Sequence, residues 1–134
     1  MTYRLFDTSV WINFRNGVQS AETSLLDQSL LLDEVCYCPT ILQELLQGIK
    51  QDHDFINTVD AFKGLTPLVL DPYLVSLEAA SLYRSLRKKG LTIRKPNDCL
   101  IAYYAIHFDL ELCHNDSDFN IIASGSQLKI WKPF

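Results

Sequence analysis

Carboxylates stand at the junctions between segments of this chain: Asp7 directly after an apolar run, Glu44 one turn into a helical stretch, Asp98 at the start of another, and Asp116 and Asp118 a few residues behind a later apolar run. Taken singly, each has a plain reading. Asp98, Asp116 or Asp118 could cap a helix, Asp7 could end a strand in a turn, and Glu44 could sit in solvent. Taken together, they would put acids from four separate elements at one edge of the molecule. Like charges held close raise one another's pKa and repel, so such a cluster needs protons or a cation. A hard divalent ion such as Mg²⁺ takes oxygen ligands, keeps several waters and accepts phosphate oxygens of a substrate. The chemistry indicated is attack on a phosphodiester by metal-activated water, with Asp7 and Asp98 holding the main ion and Glu44 and Asp116 orienting water or completing a second site. Water as the nucleophile predicts 5′-phosphate and 3′-hydroxyl ends.

The elements that must position these acids alternate between short β-like runs and longer helical patterns, which predicts an α/β fold with a mainly parallel sheet of four or five strands. Strands are expected at Tyr3 to Phe6, Val35 to Cys38, Pro67 to Leu70, Leu110 to Cys113 and Leu128 to Trp131. Helices are expected at Val10 to Phe14, at Ala21 to Asp33 on a Leu25, Leu26, Leu30 and Leu31 stripe, and from Pro39-Thr40 to Gly48. Thr40 and Gln43 have the spacing of a capping box. Further helices are expected around Asp54 to Phe62 and from Tyr73 to Lys89, the latter on Val75, Ala79, Leu82 and Leu86 with Gly90 as its stop. Another starts at Asn97-Asp98 on Ile101, Ala105 and Phe108, and a short one runs from Phe119 to Ala123. In open parallel sheets the working crevice lies beyond the carboxyl ends of the strands, which is where the acids fall.

Length and composition agree with this. The 134 residues suit one domain, 1–134, and 48% hydrophobic with 21% charged residues is an ordinary globular balance that excludes disorder and low complexity. No apolar run reaches bilayer length, and Asp7 interrupts the N-terminal stretch where a signal peptide would need its apolar centre, so no membrane association and a cytoplasmic location are expected. Cys36, Cys38, Cys99 and Cys113 read as reduced, buried thiols; a zinc site would need two pairs at ligand spacing, and only Cys36 and Cys38 are close. The net charge of −4 conceals a basic segment, with six of the twelve lysines and arginines between positions 84 and 95. That segment runs into Asp98, so Arg94 and Lys95 are candidates to grip the phosphates of a phosphodiester substrate beside the acids. Trp11, Phe14, Tyr103 and Tyr104 could stack on bases, but packing is the commoner use of aromatics. His114, beside the late acids, reads as structural.

The motifs Asp7-Thr8-Ser9-Val10-Trp11-Ile12, Pro39 to Gly48 around Glu44, Asn97-Asp98-Cys99-Leu100-Ile101-Ala102 and His114-Asn115-Asp116-Ser117-Asp118-Phe119 together resemble the PIN domain, in particular the VapC-type toxins of prokaryotic toxin–antitoxin pairs. The likeness covers nearly the whole chain, in order, and is weakest between positions 50 and 75. It implies a PIN-like three-layer α/β/α sandwich and a Mg²⁺- or Mn²⁺-dependent endoribonuclease, the toxin of a type II toxin–antitoxin system, held inactive by a cognate antitoxin and commonly a homodimer. Asp7, Glu44 and Asp98 match the family's three core acids and Asp116 the fourth. Asp118 is the ambiguous position, serving the metal in some relatives. Thr8 matches a small hydroxyl residue that supports the site. An antitoxin would lay an apolar helix into a groove of the early helices and bring a basic side chain to the acids.

Two other enzyme classes fit less well. A haloacid-dehalogenase-like phosphatase needs a second Asp two residues after the first, where Ser9 stands, and a receiver domain needs paired acids at the end of strand one and a late lysine. The remaining alternative is a PIN-like scaffold acting as a non-catalytic RNA- or protein-binding module. It predicts a broken acid set.

Overall fold

The structure, a computed structural model, describes residues 1–133. In chain order the elements are β1 (Arg4–Phe6), α1 (Thr8–Arg15), α2 (Ala21–Leu31), β2 (Val35–Tyr37), α3 (Pro39–Gln47), α4 (Asp52–Lys63), β3 (Thr66–Pro67), α5 (Pro72–Lys88), α6 (Asn97–His107), β4 (Glu111–Cys113), α7 (Ser117–Ser124) and β5 (Lys129–Ile130). The five strands form one sheet in the order β3-β2-β1-β4-β5, and every pairing is parallel. The chain steps from β1 outward to β2 and β3, then crosses back to β4 and β5 on the other side of β1. Right-handed crossovers in opposite directions send the intervening helices to opposite faces, which makes a three-layer α/β/α sandwich. Consistent with this, α1 packs on α2 and α3, while α5 packs on α6 and α6 on α7.

Burial on both faces explains the unbroken apolar strands. Leu5, Phe6 and Leu112 of the central strands are fully buried among Ile41, Ile101 and Phe119. Register then places the strand ends side by side, with Phe6 opposite Cys113 and the Asp7 N–H donating to the Cys113 carbonyl at 2.9 Å. The edge strands are short, and β3 is confined to two residues where the sequence suggests four. Pro67 lacks a donor and is tolerated because β3 lies at the sheet edge; Leu68 N–H still reaches the Tyr37 carbonyl at 2.8 Å.

Several local expectations change. The capping box forms at Ser20 and Thr23 in front of α2, not at Thr40 and Gln43; α3 begins after Cys38 with Pro39 in its first turn and no side-chain cap. Leu31 is 81% exposed, because it lies about 140° around the helix from the buried Leu26. Phe108 ends α6 as its C-cap and is partly exposed, whereas Ile101, Ala102, Tyr104 and Ala105 bury the helix on more than one side. At the end of α5 the expected Gly90 stop holds: at φ +80 it lets Leu91 N–H bond the Leu86 carbonyl and its own N–H bond that of Arg87, a Schellman closure.

This packing sorts two leucines that look alike in the sequence. Leu5→Ala is expected to lower unfolding free energy by about 3 kcal/mol, and Leu31→Ala to leave it within about 0.5 kcal/mol, as measured by urea denaturation.

Candidate active site

The order of the strands decides where the acids meet. β1 and β4 are neighbours at the point where the chain reverses its direction across the sheet, and a crevice opens beyond the carboxyl ends of strands at such a switch point. Asp7 follows β1, Asp116 follows β4 by three residues, and Glu44 lies in α3 behind β2. Asp98 arrives differently. Helix α6 runs back along the sheet before β4, so its first turn lies at the same edge. A cleft of about 280 Å³ there is lined by Asp7, Thr8, Glu44, Lys95, Asp98 and Asp116, among others. Asp98, Asp116 and Asp118 each offer an oxygen within 4.8 Å of the other two.

Each acid is held in its own way. Asp7 is 5% exposed and caps α1, its Oδ2 accepting from Ser9 N–H at 3.1 Å and Ser9 Oγ–H at 2.7 Å. Ser9 Oγ also accepts from Asn115 N–H at 3.0 Å, which ties the loop after β4 to the end of β1. Thr8 donates to Glu44 Oε1 at 2.8 Å and so fixes the acid from α3. Asp116 caps α7 by accepting from Asp118 N–H at 3.0 Å, and its other oxygen takes the Lys95 ammonium. Asp118 faces the basic loop, with Oδ1 accepting from Arg94 Nε at 3.3 Å and Oδ2 from Lys95 N–H at 3.2 Å. Asp98 differs from all of these. It is not the cap of α6, a place taken by Pro96, and its buried Oδ2 has no hydrogen-bond partner.

The electrostatics follow from this arrangement. Burial, then repulsion from Asp7 and Asp116, pushes Asp98 from 3.8 up to about 7. Burial also raises Asp7, against the hydrogen bonds from Ser9, and raises Glu44, against that from Thr8. For Asp116 burial again pushes upward, but the Lys95 bond, the Asp118 amide and the nearby Arg94 together outweigh it and hold the group below its ordinary value. The Lys95 ammonium is raised chiefly by its bond to Asp116.

Thus Asp7, Glu44, Asp98 and Asp116 converge on one cleft, Thr8 supports Glu44, and Arg94 and Lys95 are folded onto Asp118 and Asp116. Ser9 had no role assigned from sequence; the Asp-x-Ser spacing of a side-chain-capped turn was its only local signal. His114 holds the backbone, with Nδ1 accepting from Asp116 N–H at 3.0 Å and Nε2 lying 3.2 Å from Asn120 Oδ1. Trp11 and Tyr104 are buried in the core. The four cysteines are free and buried, burial pushing Cys38 and Cys113 up to about 12, and among the described residues the gathered metal-ligand set is wholly carboxylate. All-oxygen donors, mutual repulsion and one orphaned buried oxygen fit a hard divalent ion.

The raised Asp98 sets a pH dependence for the metal-free chain. Asp98 keeps its proton in the fold up to about pH 7, whereas the unfolded chain releases it near pH 4. The folded state therefore binds more protons in that window, and stability falls as pH rises through it. The lowered Asp116 acts in the opposite sense, but only below about pH 4. The melting temperature without metal is expected to drop by about 5 °C or more between pH 5 and pH 8. Asp98→Asn should flatten that slope, and millimolar Mn²⁺ should restore stability at pH 8; differential scanning calorimetry measures all three.

Comparison with known proteins agrees with the geometry. Residues 4–125 match the model of the PIN domain family. VapC ribonuclease Mb1587 of Mycobacterium bovis and ribonuclease VapC11 of Mycobacterium tuberculosis are each 33% identical over 128 residues, covering 93% of this chain and 95% of the relative. Among solved structures, DNA-bound VapBC from Salmonella typhimurium aligns with a TM-score of 0.73 at 22% identity over 98% of both chains. VapBC2 from Rickettsia felis, bound to a DNA fragment from its promoter, aligns at 0.72 with 20% identity over 98% of this chain and 100% of that one. Those two likenesses are of fold, while the matched family and the ribonuclease relatives extend over nearly the whole sequence. The chain belongs to the PIN domain family and, within it, to the VapC type.

Proposed function

We propose that this chain, acting as a single PIN-like domain, is the toxin endoribonuclease of a type II toxin–antitoxin pair, cleaving RNA with Mg²⁺ or Mn²⁺ at the cleft of Asp7, Glu44, Asp98 and Asp116. The observation that carries this reading is the buried, unpartnered Asp98 Oδ2 among like-charged neighbours, a donor set suited to a hard cation. The 33% identical relatives bear the name ribonuclease, which supports RNA as the substrate. Neighbours solved as a toxin–antitoxin complex and as a member of the VapBC family of toxin–antitoxin systems support a protein antitoxin as the partner. Among the described residues no helix is long and apolar enough to cross a membrane. A homodimer and a cytoplasmic location complete the proposal.

Within this reading Asp7, Asp98 and Asp116 would hold the ion and Glu44 would orient the attacking water. A bound Mg²⁺ or Mn²⁺ would supply Lewis acidity toward the phosphate and a more acidic attacking water. The chain's own residues do the rest. Ser9 and Thr8 fix the carboxylates of Asp7 and Glu44, so neither must reorient when substrate enters. Arg94 and Lys95 supply positive charge at the cleft mouth, where backbone phosphates would pass. Asp118, with both oxygens on the basic loop, positions that loop; one of its oxygens also lies within 4.8 Å of Asp98 and Asp116, so it would join the ion by giving up a bond to the loop. A non-catalytic binding module would not require four carboxylates turned into one cleft.

Purified chain incubated with total RNA and Mg²⁺ or Mn²⁺ is expected to give fragments with 5′-phosphate and 3′-hydroxyl ends, and chelator should abolish them. Asp7→Asn and Asp98→Asn should each lower the cleavage rate by about 100-fold or more. Cleavage that survives the chelator, or full activity in both variants, would refute the metal-dependent mechanism.

A further inference from the structure

Lys95 combines a locked backbone with a loose side chain. Its N–H donates to Asp118 Oδ2 at 3.2 Å and its carbonyl accepts from Asp98 N–H at 2.9 Å, so the main chain is pinned between two acids of the site. The side chain remains 58% exposed and lays its ammonium on Asp116 Oδ2. Arg94 is engaged chiefly with Asp118, its Nε 3.3 Å from Oδ1, and its terminal nitrogen lies 3.8 Å from Asp116 Oδ1, the oxygen that Lys95 does not take. Among the described residues Lys95 is the one cation lining the cleft. It neutralises one acid and leaves Asp98 Oδ2, in a residue 4% exposed, without a partner.

A single ammonium cannot do what a divalent ion does. It carries one charge, bonds through a few donors and sits at the end of four flexible carbons. Asp116 Oδ2 can take either the ammonium or a metal, and two cations crowded on the same oxygen repel. Because its backbone is held, Lys95 can answer an incoming ion only by turning its side chain outward. There it meets the mouth of the cleft and any phosphate lying across it.

We propose that Lys95 is an exchangeable internal counter-cation, which occupies Asp116 while the cleft lacks metal, yields that oxygen to the divalent ion, and then turns to a phosphate of the RNA. This rests on the metal-dependent reading above and adds a consequence to it. Lys95 opposes ion binding in the free chain and favours it when substrate phosphate offers the ammonium a new partner, so ion and RNA bind with positive coupling.

Mn²⁺ affinity, read from the electron paramagnetic resonance signal of free Mn²⁺ in the absence of RNA, tests the first half. Lys95→Met should bind Mn²⁺ about five- to tenfold more tightly than wild type, because a competing charge is gone, and Lys95→Arg should return affinity toward the wild-type value. At saturating Mn²⁺, Lys95→Met should raise KM for RNA by about tenfold, a larger factor than its effect on kcat. A merely structural lysine would not tighten metal binding when removed. If wild type binds Mn²⁺ and Lys95→Met binds it no more tightly, or KM is unchanged, the counter-cation role is overturned while the metal-dependent reading stands. If neither chain binds Mn²⁺, both are overturned.

Discussion

Mutual repulsion among carboxylates governs this molecule's working edge. Asp7, Asp98, Asp116 and Glu44 come from four separate stretches of chain and line one small cleft, where each disfavours ionisation of the next. Most of the surrounding polar contacts manage that tension. Ser9 and the first turn of α1 quieten Asp7, Thr8 quietens Glu44, and the basic loop before α6 covers Asp116 and Asp118. Asp98 receives nothing comparable. Its orphaned oxygen is the point where the fold leaves the charge problem open.

The scaffold that forces these groups together is the parallel sheet with its reversal between β1 and β4. Three-residue central strands, buried on both faces, leave little freedom in register, so Phe6 and Cys113 end level with each other and deliver Asp7 and the β4–α7 loop to the same place. The same reversal carries α6 back along the opposite face and sets its N-terminal turn at the site. Asp98 therefore lines the cleft rather than capping its helix, since Pro96 occupies the cap position. The local fittings serve the same end: Asp7 and Asp116 are at once helix caps and lining of the cleft, so capping a helix does not take either away from the other acids.

Charge balance also explains the loop between Gly90 and Pro96. In the sequence it reads as a free basic rim; in the fold, Arg94 and Lys95 are drawn onto Asp118 and Asp116. Beside an acidic cleft the nearest cations fold inward, because pairing with the carboxylates relieves their mutual repulsion. Site neutralisation falls to these two side chains, and Asp118, bonded to both residues, anchors the loop that carries them.

The α/β alternation, the positions of most helices, the Gly90 stop and the placing of acids behind apolar runs are all readable along the chain, because turn chemistry, helical periodicity and strand punctuation act over a few residues. Where local patterns misled, the surroundings decided: Thr40 lies inside α3, which begins after Cys38 without a side-chain cap, and Leu31 lies on the side of α2 turned away from the core. Strand order, the switch point beside β1, the Ser9–Asn115 tie, the engagement of Asp118 with the loop and the partnerless oxygen of Asp98 had no local signature. Each depends on residues some 20 to more than 100 positions apart being brought together, and only burial of a shared core decides which of those remote groups become neighbours.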